Sequence, residues 1–485
     1  MTRRIIQFGT SRFLQAHVDL FVHEARGAGE DIGPITVVKT TPGGDRAGRI
    51  AALKRGQPYP VRIRGRDAGR VIDTTVEVAS IDQAFEAELE WSDVVHCFAE
   101  EAEIAISNVA EGGYRLDEGD AGHDYASATP PKSFPAKLLA LLLARHRVGG
   151  KPLLFLPTEL VSGNGRVLSG ILTQLAIETR QSESFRAWLA RSVTFADTLV
   201  DRIVSAEIPP IGAVTEPYAL WAIKAGGFGD VFRHPCVKLV ENLEPFERLK
   251  LHILNLGHTV LTDRWLRQNG PADETVRHTL SDPAVAEHLN AIYTEEVLPG
   301  FVLHGMGGEA ESYVATTLER FNNPFLEHRL ADIAQNHPVK IQNRIAAFIE
   351  WARRRDSGFA SPRLAALLRL ENRAQQRLPC RGEMLAAGLF DLLWIAGLQC
   401  LDVVEMLGDR DRVAFTLVGF VPLVVIVEDQ ADDVVEILYE PVFRGVIDQP
   451  MEALVQAREV VVAGLYLGQQ SAVLLLDCAQ CLPGR

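Results

Sequence analysis

Three side chains near the middle of the chain, Lys250, Asn255 and His258, are of types that can move a proton and hold an oxygen atom. On an α-helix, at about 100° per residue, they fall at roughly 0°, 140° and 80° and share one broad face. A lysine with a lowered pKa can take the proton of an alcohol as hydride leaves, while an amide and an imidazole donate to the developing oxygen. A surface lysine beside two hydrogen-bonded polar residues of a core helix fits the same spacing.

A second candidate site lies near the start of the chain, where Gly9 follows the β-like run Ile5–Phe8. Gly9 permits a tight turn, and a helix predicted from Phe13 would direct its N-terminal amides at a pyrophosphate. The usual dinucleotide fingerprint has a second glycine two residues later, where this chain has Ser11. Ser11 is small and can hydrogen-bond a phosphate. The run therefore indicates a dinucleotide turn, with an ordinary strand-to-helix turn as the alternative.

Alternating strands and helices must position these two sites. A further β-like run, Ile35–Lys39, completes a strand–turn–helix–strand unit typical of dinucleotide-binding domains. The next predicted elements are an antiparallel hairpin over 61–78, strands over 93–98, 104–107 and 153–157, and a helix over 135–145. Together they predict a mostly parallel sheet covered on both faces.

The pattern becomes helical after about residue 240. The helix candidates are 246–265, 284–297, 313–320, 324–335 and 340–354, and the runs 421–427 and 460–467 fit either a buried strand or a buried helix. The predicted fold is therefore an α/β Rossmann-like N-terminal domain over residues 1–240 and a mainly α-helical catalytic and substrate domain over 241–485.

Composition excludes several classes of protein. Of 485 residues, 47% are apolar and 23% charged, which is a globular mix, and the net charge of −14 argues against a general nucleic-acid binder. Six cysteines, with Cys478 and Cys481 as the one Cys-x-x-Cys pair, predict neither a disulfide framework nor a zinc site. The longest apolar stretch, Ala414–Val427, is shorter than the roughly 18 residues of a membrane span. We expect a cytoplasmic protein without a membrane partner.

Taken together, these segments resemble the polyol-specific long-chain dehydrogenase family, which includes mannitol dehydrogenase. The resemblance covers roughly residues 4–350, and the Lys-x4-Asn-x2-His element from Lys250 to His258 is its most specific part. The other matching segments are 5–9 with 13–14, 107–114, 133–138, 158–161 with 164–165, 198–203, 216–218 with 221, 320–324, and Lys340 with Arg344.

The resemblance implies a cleft between the two domains, metal-independent catalysis and a set of residue roles. Lys250 would be the general acid/base, with Asn255 and His258 polarising the carbonyl. The residues that would contact the substrate's distal hydroxyls or carboxylate are Asp201, Arg320 and Lys340. The residues that would contact the cofactor are Phe8, Gly9, Ser11, Phe13, Lys39 and Glu111.

The likeness is greatest to the branch that acts on uronates, because Leu160 stands where mannitol dehydrogenases carry a substrate-binding asparagine. The implied reaction joins tagaturonate and altronate. The alternatives are a fructuronate reductase, a mannitol- or arabinitol-type polyol dehydrogenase, and a non-catalytic nucleotide or sugar sensor. The expected cofactor is NAD, although Lys39 after the second strand leaves NADP open. The expected assembly is a monomer or small homo-oligomer, and the segment after about residue 385 departs from the family.

Overall fold

The computed structural model describes residues 3–43, 47–109 and 112–376, followed by the separate segments 404–409, 412–417, 423–428, 434–439 and 476–477. The chain divides into two compact units, Met1–Leu370 and Glu371–Arg485. Within the described parts, no helix is both long enough and apolar enough to cross a bilayer.

The first unit is rich in strands up to residue 240. These strands are β1 (Arg3–Phe8), β2 (Ile32–Lys39), β3 (Tyr59–Asp67), β4 (Arg70–Val78), β5 (Ile81–Glu86), β6 (Ile104–Ser107), β7 (Leu153–Pro157), β8 (Val193–Phe195), β9 (Thr198–Asp201), β10 (Val204–Glu207), β11 (Ala213–Thr215), β12 (Leu220–Lys224) and β13 (Val237–Val240). Six of them form one parallel sheet in the order β5-β2-β1-β6-β7-β8. Counted along the chain this order is 3-2-1-4-5-6, that of a dinucleotide-binding sheet, which confirms the predicted Rossmann-like fold.

Helices cover both faces of the parallel sheet. They are α1 (Arg12–Ala16), α2 (Val18–Gly27), α3 (Ala47–Lys54), α4 (Trp91–His96), α5 (Phe134–Arg147), α6 (Asn164–Glu178) and α7 (Glu183–Ser192), with a π-helical turn at Cys97–Glu101 and a 3-10 turn at Glu118–Asp120. Successive residues of β1 enter different cores: Ile5 packs with Phe21 of α2, while Ile6 packs with Leu138 of α5. Burial on both faces explains why β1 is apolar without alternation.

The strand predicted over 93–98 is wrong, because these residues lie in α4 and the π-helical turn after it. Val94, Cys97 and Phe98 are buried, at the i, i+3 and i+4 spacing of a helix face. Short apolar runs do not by themselves separate strand from helix.

The predicted antiparallel hairpin is confirmed. β3 and β4 pair over their whole length around a turn at Ala68 and Gly69. They belong to a second sheet of order β10-β11-β3-β4, while β13-β12-β9 form a third. In the third sheet, β9 ends at Asp201, one of the predicted substrate-binding residues.

Helices dominate the first unit after residue 240. They are α8 (Glu244–Leu249), α9 (Leu256–Arg267), α10 (Val276–Leu280), α11 (Pro283–Ile292), α12 (Leu298–Leu303), α13 (Gly307–Phe321), α14 (Leu330–Ile333), α15 (His337–Ile341), α16 (Ala347–Arg353) and α17 (Pro362–Gln376). Further π-helical turns lie at Lys250–Asn255, Tyr293–Val297 and Gln342–Ala346. The helix predicted over 324–335 is shorter than expected, since only Leu330–Ile333 is α-helical there.

Apart from the last residues of α17, the described residues of the second unit form strands, unlike the mainly helical segment predicted to run to residue 485. They are β14 (Val404–Asp409), β15 (Arg412–Leu417), β16 (Leu423–Glu428), β17 (Val434–Tyr439) and β18 (Leu476–Asp477), each antiparallel to the next. Runs of β-branched residues such as Val424–Val427 favour strands. The run 421–427 thus lies largely in a strand, whereas 460–467 is outside the described residues. The domain boundary near 240 stays a prediction.

Candidate active site

Lys250, Asn255 and His258 lie on one long helix whose middle turn is widened. α8 continues directly into the π-helical turn Lys250–Asn255 and then into α9. In a π-helical turn the backbone bonds join residues five apart, so Lys250 and Asn255 come nearly in line along the helix. The predicted helix is therefore confirmed, but the regular α-helical angles assumed for it are wrong.

Tyr293 and Gly257 account for the widened turn. The Tyr293 hydroxyl donates to the carbonyl of Ile253 at 3.0 Å in the buried interior. A Cβ on residue 257 would stand 2.0 Å from that hydroxyl oxygen, so only glycine leaves room for it. A buried carbonyl that leaves the regular helical pattern needs another donor, and the tyrosine supplies one.

The Lys250 ammonium is largely enclosed. Its side chain is 19% exposed, and its Nζ lies 4.0 Å from Oδ1 of Asp201. The same Nζ donates to the carbonyl of Val200 at 2.9 Å. Burial lowers the pKa of Lys250 below the ordinary lysine value, although the charge of Asp201 acts to raise it. Lys250 therefore loses its proton at a lower pH than a free lysine does, and the neutral amine is the form that can take a proton from a substrate.

Asp201 belongs to a buried ion network centred on Arg320 of α13. Arg320 donates through both terminal nitrogens to the Asp201 carboxylate, each at 3.0 Å. It also donates to both oxygens of Glu216, from Nε at 3.0 Å and from Nη2 at 2.8 Å. Burial alone would raise the pKa of Asp201, but the charges of Arg320 and Lys250 outweigh it and hold this pKa at about 2. The network fixes an ionised carboxylate beside the lysine.

Two tyrosines complete this network. The Tyr313 hydroxyl donates to Oδ2 of Asp201 at 2.7 Å, and the ring of Tyr218 lies 4.3 Å below the Arg320 guanidinium. Glu216 and Tyr218 have no role predicted from sequence beyond membership of a family-like segment, and Tyr313 was not predicted at all. The signal in the sequence was the run of a glutamate, a proline and a tyrosine at 216–218, but this run does not identify Arg320 as the partner of Glu216.

His258 and Asn255 are enclosed to different degrees. His258 is 6% exposed, and its Nε2 is buried without a hydrogen-bond partner among the described residues. Burial, followed by the neighbouring His328, keeps the pKa of His258 well below its ordinary value, so the ring is neutral near pH 7. Asn255 is half-buried, and its backbone carbonyl accepts from the Thr259 hydroxyl at 2.9 Å. Buried polar atoms in native proteins are mostly paired, and the unpaired Nε2 of His258 is available to hydrogen-bond a ligand.

Lys340 lies near the same helix. Its Nζ donates to the carbonyl of Ile333 at 2.8 Å, and burial together with Arg344 lowers its pKa. The charges of Arg344 and Lys340 also contribute to the lowered pKa of His258. Thus the structure joins Lys250, Asp201 and Arg320 by direct contacts and brings Lys340 toward His258. Within the described segments, no three His, Cys, Asp or Glu side chains are grouped to hold a metal ion.

The predicted phosphate turn lies at the carboxyl edge of the parallel sheet. Gly9 has φ +123°, and a Cβ there would stand 2.7 Å from the Asn108 carbonyl oxygen. Ser11 caps α1 by accepting from the Leu14 amide at 3.2 Å, and its hydroxyl donates to the Asn108 side chain at 2.8 Å. A backbone cradle that tolerates only glycine, at the point where the strand order reverses, fits a dinucleotide.

Phe8, Phe13 and Glu111 are further residues predicted to contact the cofactor. The Phe8 side chain is buried against Phe134, with ring centroids 5.5 Å apart, so only its backbone lies at the turn. Phe13 stacks on His17 at 4.8 Å. Glu111 lies outside the described residues.

A small cavity of about 280 Å³ lies at the end of β2. It is lined by Lys39, Thr41, Pro42, Gly43, Glu86, Glu88 and Leu89. The Lys39 ammonium is buried and pairs with Glu86 at 2.9 Å. The end of the second strand is where dinucleotide-binding domains hold the adenosine ribose.

Comparison with known protein families agrees with this architecture. The model of the mannitol dehydrogenase Rossmann domain matches residues 3–230, and the model of the mannitol dehydrogenase C-terminal domain matches residues 242–370. Among solved structures, Pseudomonas fluorescens mannitol 2-dehydrogenase in complex with NAD and D-mannitol superposes with a TM-score of 0.60. The match covers 76% of this chain and 78% of that one at 19% identity, and it supports the fold alone.

Curated relatives cover a similar span. Altronate oxidoreductase of Halalkalibacterium halodurans is 28% identical over 71% of this chain and 70% of that protein. D-mannonate oxidoreductase of Escherichia coli is 27% identical over 70% of this chain and 74% of that protein. With both family domains matched in order over the sheet and helices that carry the candidate site, the chain belongs to the mannitol dehydrogenase family of nicotinamide-dependent oxidoreductases.

Proposed function

We propose that this protein interconverts a ketone and a secondary alcohol on a sugar acid, with tagaturonate and altronate as the substrate pair. The proposal is carried by the enclosed Lys250 ammonium beside the buried Asp201 carboxylate, on the same helix as Asn255 and His258. The relatives named altronate and D-mannonate oxidoreductase support a sugar acid as substrate.

The chemistry follows from the states of the three side chains. In oxidation, neutral Lys250 takes the proton of the substrate hydroxyl, and in reduction its ammonium returns a proton to the carbonyl oxygen. The Asn255 amide and the neutral His258 imidazole donate hydrogen bonds to that same oxygen and stabilise the charge it develops. When bound, the nicotinamide accepts or supplies the hydride.

The substrate-binding roles of Asp201, Arg320 and Lys340 stay predictions with different support. Asp201 and Arg320 direct their hydrogen bonds to each other and to Glu216 and Tyr313, which favours a role in positioning Lys250. Lys340 donates to a backbone carbonyl and has no acidic partner in the described residues, so its ammonium suits a substrate oxygen.

We assign the phosphate groups of the cofactor to the turn from Gly9 to Ser11 and the adenosine ribose to the cavity at Lys39. NAD is favoured over NADP there. The Lys39 charge is neutralised by Glu86, and Glu88 pairs with Lys137, so the described lining offers no unpaired cation to a 2′-phosphate.

Initial rates with tagaturonate, fructuronate, tagatose and fructose, each with NADH and NADPH, test the proposal. We expect kcat/KM for one hexuronate to exceed that for either ketose by at least about tenfold, and NADH to exceed NADPH by a similar factor. The reverse reaction is measured with altronate, mannonate, mannitol and arabinitol. A polyol that outran every sugar acid by about tenfold would overturn the sugar-acid assignment.

A further inference from the structure

Arg344 is a half-buried cation without a carboxylate partner in the described part of the chain. It lies in the π-helical turn Gln342–Ala346, one turn after Lys340, which also has no acidic partner there. Arg320, by contrast, is matched by two carboxylates, and the exposed Arg329 pairs with Asp332. Two adjacent unmatched cations beside an active site are suited to an anionic ligand.

The contacts of Arg344 place it against the catalytic helix. Its Nη1 donates to the backbone carbonyl of Asn255 at 3.2 Å and to the Thr259 hydroxyl at 3.0 Å. Its own backbone carbonyl is 3.2 Å from Nδ1 of His252 on the same helix. Burial lowers the pKa of Arg344 to about 10, which reflects a guanidinium enclosed without a balancing charge.

The geometry leaves one edge of the guanidinium unused. Nη1 is engaged by Asn255 and Thr259, whereas Nε and Nη2 have no partner among the described residues. The Nε and Nη2 hydrogens form a parallel pair of donors, the arrangement that matches the two oxygens of a carboxylate. Arg320 cannot offer such an edge, because Asp201 and Glu216 take its donors.

We infer that Arg344 binds the carboxylate of the sugar-acid substrate through its Nε and Nη2 edge, with Lys340 as the second cation. The inference rests on the proposed function and names the residue that separates a sugar acid from an uncharged sugar. The Nη1 contact with the Asn255 backbone holds the guanidinium beside the helix that carries Lys250.

The test compares a sugar acid with an uncharged ketose in the same enzyme preparation. In Arg344→Gln we expect kcat/KM for tagaturonate to fall by roughly 10- to 100-fold, mostly through KM, because a charge-assisted bidentate contact is lost. The value for tagatose should stay within about threefold of wild type. Arg344→Lys, which keeps the charge but not the paired donors, should fall between the two. Arg354→Gln, at an exposed arginine that caps the end of α16 and pairs with Glu350, is the matched control.

Each outcome decides the inference. Equal losses of kcat/KM for tagaturonate and tagatose would show that Arg344 only supports the helix. No loss for either substrate would show that Arg344 does not bind the carboxylate. Either result would overturn the inference. If tagatose turns over too slowly, inhibition constants of altronate and its uncharged alditol give the same comparison. A wild-type enzyme that reduces no sugar acid would instead refute the proposed function, and it would do so before any variant is compared.

Discussion

At the scale of single residues, the site is a balance of buried charges. Lys250 and Arg320 face the carboxylates of Asp201 and Glu216 within one contact network. Burial favours loss of the lysine proton, while Asp201 favours keeping it, and the net result is a lowered pKa. A group whose protonated and neutral forms are closer in free energy near neutral pH can both give and take a proton during turnover.

Lys250→Met should remove the acid/base while keeping most of the side-chain volume. We expect kcat to fall by roughly 10²- to 10⁴-fold, with the dissociation constant for NADH unchanged, because the lysine acts on the reacting oxygen. Steady-state kinetics and NADH fluorescence titration measure the two quantities. Lys224→Met, at an exposed lysine on β12, is the control and should behave as wild type. A variant that kept more than half of wild-type kcat would remove Lys250 from the chemistry.

Residue types and spacing made Lys250, Asn255 and His258 candidates beside a core-helix alternative, and the family resemblance supplied their proposed roles. Residue types and spacing did not predict the network around Arg320, because Glu216 is far from Arg320 in the sequence and Tyr313 is far from Asp201. Glu216 is 104 positions from Arg320, and Tyr313 is 112 positions from Asp201. Only the folded chain brings such residues into contact, and no local pattern records the pairing.

At the scale of elements, the widened turn Lys250–Asn255 sets the orientation of the candidate catalytic side chains. The sequence predicts a helix here from its apolar spacing, but it does not predict the π-helical turn. That turn depends on the Tyr293 hydroxyl reaching Ile253 from 40 positions away. The strand wrongly predicted over 93–98 has a related cause, since burial against neighbouring elements decides between strand and helix in short apolar runs.

Gly257→Ala should disturb this turn directly. The added Cβ would lie 2.0 Å from the Tyr293 hydroxyl oxygen and 3.0 Å from a ring carbon of Phe321. We expect a loss of roughly 1–3 kcal/mol in the free energy of unfolding from overpacking, together with a fall in kcat. Urea denaturation and steady-state kinetics measure the two effects.

Two further variants separate the clash from a general effect of alanine. Gly170 lies inside α6 with open space around its Cβ position, so Gly170→Ala should be neutral or stabilising by up to about 1 kcal/mol. Adding Tyr293→Phe to Gly257→Ala removes the oxygen nearest the new methyl group and should recover part of the lost stability. No difference between Gly257→Ala and Gly170→Ala would contradict the role given to Tyr293.

At the scale of the whole molecule, Arg320 joins the helical and strand-rich parts of the first unit. It lies on α13 and binds Asp201 at the end of β9 and Glu216 just after β11. The alternation of strands and helices, together with the glycine turn, was enough to predict the Rossmann-like sheet. The contact of Arg320 with Asp201 and Glu216 was not predictable, because it depends on how the strand-rich and helical regions pack.

Arg320→Met should leave the buried Glu216 carboxylate without its cation and Asp201 with Lys250 alone, at 4.0 Å. We expect a loss of about 3–5 kcal/mol in the free energy of unfolding at pH 7, measured by urea denaturation. Arg329→Met, which breaks an exposed pair with Asp332, should cost no more than about 1 kcal/mol. Similar losses in the two variants would show that the Arg320 network does not hold the two regions together.

The pH dependence of kcat in both directions tests most directly whether a partly dried Lys250 is the acid/base. Oxidation needs the neutral amine, so its rate should rise with pH through one pKa lying below the ordinary lysine value of about 10.4. Reduction needs the ammonium, so its rate should fall as pH rises through the same group. The account is contradicted if the two profiles show no shared group below that value, or if the residual activity of Lys250→Met keeps the same profile.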